Sequence, residues 1–325
     1  MREQVILEVE NLVKHFPLGS SVFFRQRQKV QAVNSVSFKL YQGKTLGLVG
    51  ESGCGKSTVC RLLVRLSEPT SGTVTYKGKN ILDYNAREML VVRRDIQMIF
   101  QDPYASLDPR MTVADIVGEA LDIHRLAQGP ARIKRICELL ETVGLDPGFA
   151  NRFPHEFSSG QRQRIGIARS LAVSPKLILC DEPISALDVS IQAQIVNLLQ
   201  ELQDKHGLTY LFVAHDLSMV KHISHHIAVM YLGRIVELTD SYTLYENPLH
   251  PYTQALLSSI PIPDPEAEAQ RCRIVLQGKV PSSVELPSGC YFQTRCPRSH
   301  NICIRKKPEL SEFRNGHWVA CHFAI

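Results

Sequence analysis

Short runs of alternating apolar and polar residues open the chain, from "ILEVENLVKHF" (6–16) to "SVSFKLYQGKTLGLVG" (35–50), and "SGTVTYKGKNI" (71–81) continues them. Alternation broken by glycine and polar turns predicts half-buried strands, partly antiparallel. Between them, "GESGCGKSTVCRLLVRL" (50–66) passes from a glycine-rich turn to apolar residues at helical spacing, which is a strand, loop and helix unit. Further on, "KLILCDE" (176–182) and "TYLFVAH" (209–215) are nearly continuous apolar runs, separated by the helical "SIQAQIVNLLQELQDKHG" (190–207). Apolar strands alternating with helices predict a parallel sheet covered on both faces, an α/β architecture.

From about 102 to 160, helical stretches such as "RIKRICELLETVGL" alternate with loops rich in Pro, Asp and Gly, and this reads as a helical insertion. Next comes "EFSSGQRQR" (156–164), where Ser158 and Gln161 stand in the Ser-x-x-Gln order of a capping box at a helix start. From about 246 closely spaced prolines in "ENPLHPYTQALLSSIPIPDPEAEAQ" forbid regular structure over much of the segment. The pattern therefore divides the chain into a domain over 1–245 and a small irregular region over 246–325 that carries cysteines. Neither an internal repeat nor a low-complexity tract is present.

Composition changes this picture little. With 325 residues and 44% hydrophobic content there is room for one large domain plus a small appendage. A formal charge of +5, spread over mixed acids and bases, is too weak to argue for nucleic acid. The start, "MREQVILEVENLVKHF", holds no apolar core of signal-peptide length, and no later run approaches membrane-spanning length. The expectation is a chain that stays in the cytoplasm, where nine cysteines are not a disulfide framework.

Three motifs carry chemistry. "GESGCGKST" (Gly50, Glu51, Ser52, Gly53, Cys54, Gly55, Lys56, Ser57, Thr58) matches the phosphate-binding loop, after a strand and before a helix. Its glycines let backbone N–H groups close around phosphate oxygens, Lys56 reaches the β and γ phosphates, and the Ser57 hydroxyl ligates Mg2+. "LILCDEP" ends an apolar strand in Asp181, an acid for magnesium, and Glu182, a base for an attacking water. "TYLFVAHD" ends another with His215, able to donate to a γ-phosphate oxygen.

In their order and spacing, the phosphate loop, "FSSGQ", "LILCDEP", "SALD" and "AHD" resemble an ATP-binding-cassette ATPase over about three quarters of the chain. The resemblance implies a P-loop NTPase (RecA-like) core with an antiparallel β subdomain and a helical insertion. It implies that Gln101 in "IFQDP" links nucleotide and magnesium to that insertion, that Asp188 lies in the loop coupling two ATPases, and that Phe16 stacks on adenine. In this family two cassettes close head to tail, so Ser158, Gly160 and Gln161 would serve the ATP held by the partner's phosphate loop. Only one phosphate loop is present here, so a second polypeptide is expected. The family motif usually reads Ser-Gly-Gly-Gln, and here Ser159 replaces the first glycine.

The segments "VFFRQRQKVQAVNSVSF", "IFQDPYASLDPRMTV", "HDLSMVKHISHHIAVMYLGRIVE", "NPLHPYTQALLSSIP" and "GCYFQTRCP" resemble the ATPase subunits of bacterial dipeptide and oligopeptide importers, and among these the second, F-type ATPase of the pair. That implies a peripheral subunit on the cytoplasmic face of the inner membrane, working with a related ATPase in a heterodimer, two membrane permeases and an external peptide-binding protein, and no nucleic acid. Importers of nickel or other small solutes share these features, and a soluble cassette ATPase acting on ribosomes or DNA is the rival of another class.

Four cysteines crowd the end: Cys290, Cys296, Cys303 and Cys321. Their spacing is not the paired C-x2-C of zinc fingers, and four thiolates hold either Zn2+ or an iron–sulfur cluster. Resemblance to the cysteine-bearing tails of peptide-importer ATPases favours [4Fe–4S], as a staple for a tail too small to fold on its own core. Cys54, Cys60, Cys137 and Cys180 read as packing residues. In "KHISHHI", His222, His225 and His226 fall at one-turn helical spacing, which fits solvated side chains on a helix face or a metal site.

Overall fold

In the computed structural model residues 4–18, 28–261, 264, 266, 268 and 273–324 are described. The chain divides into two compact units, one of Met1–Ile6, Leu40–Thr45 and Lys79–Ala214, the other of Leu7–Lys39, Leu46–Gly78 and His215–Ile325.

The second unit begins with the strands that the alternating pattern predicts. β1 (Val5–Pro17) lies between β2 (Lys29–Tyr41) and β4 (Ser71–Tyr76), and pairs with β4 antiparallel, Leu7 opposite Tyr76 and Val9 opposite Val74. A bulge with Asn11 at φ 49° shifts the register, so Leu7, Val9 and Leu12 are all buried although their spacing is uneven. β3 (Thr45–Val49) is buried along its whole length and leads into the phosphate loop and α1 (Lys56–Leu63). A Cβ added at Gly47 would stand 2.6 Å from Ser224 and Val220, so glycine there allows close helix-on-strand packing.

The other unit holds β5 (Lys79–Asn80), α2 (Ala86–Asp95), β6 (Ile96–Ile99), α3 (Pro103–Ser106), α4 (Val113–Ile123), α5 (Gly129–Thr142), α6 (Ser159–Leu171), β7 (Leu177–Asp181), α7 (Val189–His206) and β8 (Thr209–Ala214). β6, β7 and β8 are parallel neighbours, in register at Ile96, Leu177 and Thr209. β7 and β8 expose no residue, which is why their sequences read as continuous apolar runs. α6 packs on β6 and against α3, α4 and α5. α4 starts with a capping box of Thr112 and Asp115, and α7 stops at Gly207 in the left-handed conformation.

The second unit resumes with α8 (Leu217–Ile223), β9 (His226–Tyr231), β10 (Arg234–Asp240), α9 (Ser241–Glu246), α10 (Pro251–Leu257), α11 (Asn301–Arg305), β11 (Ser311–Arg314) and β12 (His317–Val319). β9 runs parallel to β3, whereas β10, β12 and β11 follow as antiparallel neighbours. The tail is thus less irregular than its prolines predict. β12 has three residues and β11 four, too few for a periodicity to show in sequence.

Buried polar bonds attach that tail. The Glu237 carboxylate on β10, with no exposed surface, accepts the backbone N–H groups of Leu249 (2.7 Å) and His250 (3.0 Å). His317 Nε2 on β12 meets the same carboxylate at 2.7 Å. Burial holds the His250 imidazole down at about 4, so its Nδ1 is free of a proton and accepts the Tyr252 N–H that caps α10. α8 ends at Ile223, so His222 alone of "KHISHHI" lies on it and the three histidines share no helix face.

Candidate functional site

The candidate residues divide between the two units. The phosphate loop, Phe16, His215 and the tail cysteines belong to one. Gln101, Ser158, Gly160, Gln161, Asp181, Glu182 and Asp188 belong to the other.

In the phosphate loop Gly50 has φ 152° and Gly55 φ 109°, and a Cβ at either would meet a backbone carbonyl oxygen, Met230 at 2.1 Å or Ala32 at 2.2 Å. Only glycine fits at these two places. Gly53 has φ 79° with open space around it, and Ser52 and Gly53 are exposed. The Lys56 ammonium is buried and donates to the carbonyls of Gly50 (2.8 Å) and Glu51 (3.1 Å). Ser57 and Thr58 follow in the first turn of α1, where backbone N–H groups and the helix dipole favour an anion. Burial pushes the Cys54 thiol up against the opposing charge of Lys56, which keeps it protonated.

The loop is also held from the tail, by residues that the sequence does not single out. Arg295 makes a two-pronged ion pair with Glu51, Nη1 to Oε2 at 2.8 Å and Nη2 to Oε1 at 2.9 Å. The Tyr252 hydroxyl accepts the Glu51 N–H at 2.9 Å.

In the other unit Asp181 closes β7 and is 2% exposed. Glu182 follows at φ 46°, a left-handed conformation unfavourable for a side chain, and donates its N–H to Val213 O at 3.0 Å. Its Oε2 accepts from Gln101 Nε2 at 2.8 Å. The turn beyond is tied back to the Glu182 carbonyl by the Ser185 hydroxyl (3.1 Å). Acid and glutamine, 81 positions apart, are thus held together by a direct bond.

Ser158 caps α6 and forms the reciprocal pair that its spacing predicts, Gln161 N–H to Ser158 Oγ at 3.3 Å and Ser158 N–H to Gln161 Oε1 at 3.0 Å. Gly160 is buried, and a Cβ there would stand 2.7 Å from Ile191 Cγ2. Ser159 is exposed in the first turn. Asp188 is the exposed N-cap residue of α7.

His215 is exposed just after β8, and Phe16 is 38% exposed with the Lys14 ammonium 4.8 Å from its ring centre. Much of the insertion after Phe16, residues 19–27, lies outside the described residues.

Cys290, Cys296, Cys303 and Cys321 line a single recess together with Phe292 and His250. Burial pushes the Cys290 thiol up to about 11 and raises those of Cys296 and Cys321. Four thiols are a fitting donor set for a cluster or for zinc, but among the described residues no group of three or more Cys, His, Asp or Glu is placed to hold a metal ion. Of the four cysteines read as packing residues, Cys60 and Cys180 are completely buried and Cys54 is buried, whereas Cys137 on α5 is only half-buried.

A family profile described as ABC transporter matches residues 33–185, and one described as oligopeptide/dipeptide transporter, C-terminal region matches residues 236–303. The chain is 57% identical to the putative oligopeptide transport ATP-binding protein YkfD of Bacillus subtilis, over 99% of this chain and 96% of that protein. It is 52% identical to AppF of the same organism, over 98% of each, and 50% identical to OppF of Escherichia coli, over 98% of this chain and 96% of that one; both are oligopeptide transport ATP-binding proteins. Among solved structures, the dimeric ATP-binding cassette MJ0796 bound to ADP and Pi in a post-hydrolysis state superposes with TM-score 0.64 at 30% identity. It covers 72% of this chain and 98% of its own.

Proposed function

Because this chain belongs to the ATP-binding subunits of the ABC transporters, a family of ATPases, we propose that it drives the import of di- and oligopeptides across the bacterial inner membrane. The observation that carries this is the identity of 52% over 98% of the chain, tail included, with the oligopeptide transport ATP-binding protein AppF. No helix among the described residues is long and apolar enough to cross a membrane. We place the chain at the cytoplasmic face, as the ATPase domain 1–245 with its insertion 102–160 and the C-terminal region 246–325. It works in a heterodimer with a related cassette, beneath two permeases fed by an external peptide-binding protein.

ATP would be held by Gly50–Thr58, with Lys56 against the β and γ phosphates and Phe16 against adenine. Mg2+ would be held by Ser57, Gln101 and Asp181, and supplies charge neutralisation of the triphosphate when bound. Glu182 takes a proton from the attacking water, and the bond from Gln101 holds its carboxylate in one orientation. His215 donates to a γ-phosphate oxygen. Ser158, Gly160 and Gln161 serve the partner's nucleotide, and Asp188 faces the partner cassette.

Ser159, exposed on the first turn of α6, adds a side chain without displacing the Ser158 and Gln161 pair. Ser159→Gly is therefore expected to change ATP hydrolysis by the assembled complex less than about threefold, since the bonds between Ser158 and Gln161 that order the helix start do not involve the Ser159 side chain. A gain of orders of magnitude would mark this half-site as degenerate.

For the tail, we propose that Cys290, Cys296, Cys303 and Cys321 hold a [4Fe–4S] cluster, with Zn2+ as the alternative. Support comes from the four thiols sharing one recess. Such a group would staple the tail, take no part in hydrolysis, and require deprotonation of thiols that burial keeps neutral. Anaerobically purified protein should contain iron and absorb broadly near about 400 nm. Absence of both removes the cluster, and zinc in their place selects the alternative.

The test of the function is capture of the tagged chain from gently solubilised native cells, with identification of what comes with it. A related ATPase and two polytopic membrane proteins are expected, and the associated binding protein would separate a peptide from nickel or another solute. Ribosomal or DNA-repair proteins without any permease would overturn the importer.

A further inference from the structure

We propose that Arg295 is a positioning residue for the phosphate loop, and that through it the cysteine-bearing tail sets the affinity for ATP. This rests on the reading of Gly50–Thr58 as the nucleotide site. A carboxylate in a loop that takes up a triphosphate is electrostatically out of place. Glu51 is that carboxylate, and Arg295 neutralises it with both prongs of its guanidinium, 2.8 and 2.9 Å away. The Arg295 side chain is 8% exposed, so the pair is shielded from water on its cationic side.

The backbone of the same residue is held as well. Glu51 donates its N–H to the Tyr252 hydroxyl, and its carbonyl accepts from the Lys56 ammonium at 3.1 Å. Tyr252, Tyr231 and Phe292 form one buried aromatic cluster, with ring centres 4.7 to 5.4 Å apart, and Arg295 lies over the Tyr231 ring. Arg295 itself sits on the turn between Cys290 and Cys296, tied by its N–H to Phe292 O at 3.0 Å. A continuous path therefore runs from the cysteine turn through Arg295 and Glu51 to the amine that meets the phosphates.

Two effects follow from removing Arg295. The loop loses its anchor, and Glu51 is left as an uncompensated anion beside the phosphates. The second is separable, because Glu51→Gln removes the anion as well. A purely structural role for Arg295 would not be relieved by that second change.

The experiment is equilibrium titration of the assembled complex with MgATP, together with KM and kcat for hydrolysis and melting temperature. Arg295→Ala is expected to raise Kd and KM about tenfold, less than for a fully buried charge pair because the Glu51 side chain is 28% exposed, and to leave kcat within about twofold. The double variant Glu51→Gln/Arg295→Ala is expected to regain most of that loss. Arg295→Lys keeps the charge without the fork, and is expected to weaken binding about threefold at an unchanged melting temperature, which covers the case in which the alanine variant does not fold. Wild type that binds no MgATP overturns the reading of the loop itself. Wild type that binds, with Arg295→Ala and Arg295→Lys equal to it, overturns this proposal alone, as does a double variant no better than Arg295→Ala.

Discussion

Glu182→Gln is expected to bind MgATP as tightly as the native chain and to lose at least about a hundredfold in turnover, the usual contribution of a positioned general base. The substitution is close to isosteric. Glutamine's carbonyl oxygen still accepts from Gln101 Nε2, where Glu182 Oε2 now accepts at 2.8 Å, and the backbone bond to Val213 is untouched. The left-handed φ of 46° is tolerated no worse by glutamine than by glutamate. What disappears is the ability to take a proton. Equilibrium binding and steady-state hydrolysis by the assembled complex separate the two properties, and near-native hydrolysis would remove Glu182 from the role of base.

Lys56→Ala is expected to act one step earlier and abolish binding. The Lys56 side chain is 3% exposed, and its ammonium is already positioned by the carbonyls of Gly50 and Glu51. Charge-assisted bonds from that ammonium to two phosphate oxygens contribute about 1.5–3 kcal/mol each, so their loss raises Kd by more than about a hundredfold. Alanine also leaves those two carbonyls without their donor inside the loop. Titration with MgATP reads the effect directly. Affinity within about threefold of native would mean that the loop does not hold the triphosphate through this amine.

The two variants fail differently, one in binding and one in turnover, and the motifs they belong to are legible in the sequence for different reasons. The phosphate loop was readable because Gly50 and Gly55 lie against backbone carbonyls where no side chain fits, which forces the residue type. β7 and β8 were readable because a strand buried on both faces is apolar throughout. The capping box of Ser158 and Gln161 is local, three positions apart, and formed as its spacing predicts.

Other features left no local trace. Arg295 and Glu51 are 244 positions apart, and nothing near either residue announces the other. The bond from Gln101 to Glu182 spans 81 positions, and the family resemblance singles out Gln101 only as a link from nucleotide to the helical insertion, not as a partner of Glu182. In the tail, Glu237 joins β10, β12 and the start of α10 through three bonds, whereas prolines and short strands made the same region read as irregular. Helical spacing misled at "KHISHHI", because α8 stops at Ile223 and His226 opens β9.

The most direct measurement of the central claim is uptake of a labelled peptide by proteoliposomes carrying the complex captured on this chain. The account predicts uptake that requires MgATP on the side of this chain and is lost with Glu182→Gln. A complex that hydrolyses ATP yet takes up no peptide, or uptake undiminished by Glu182→Gln, would contradict it.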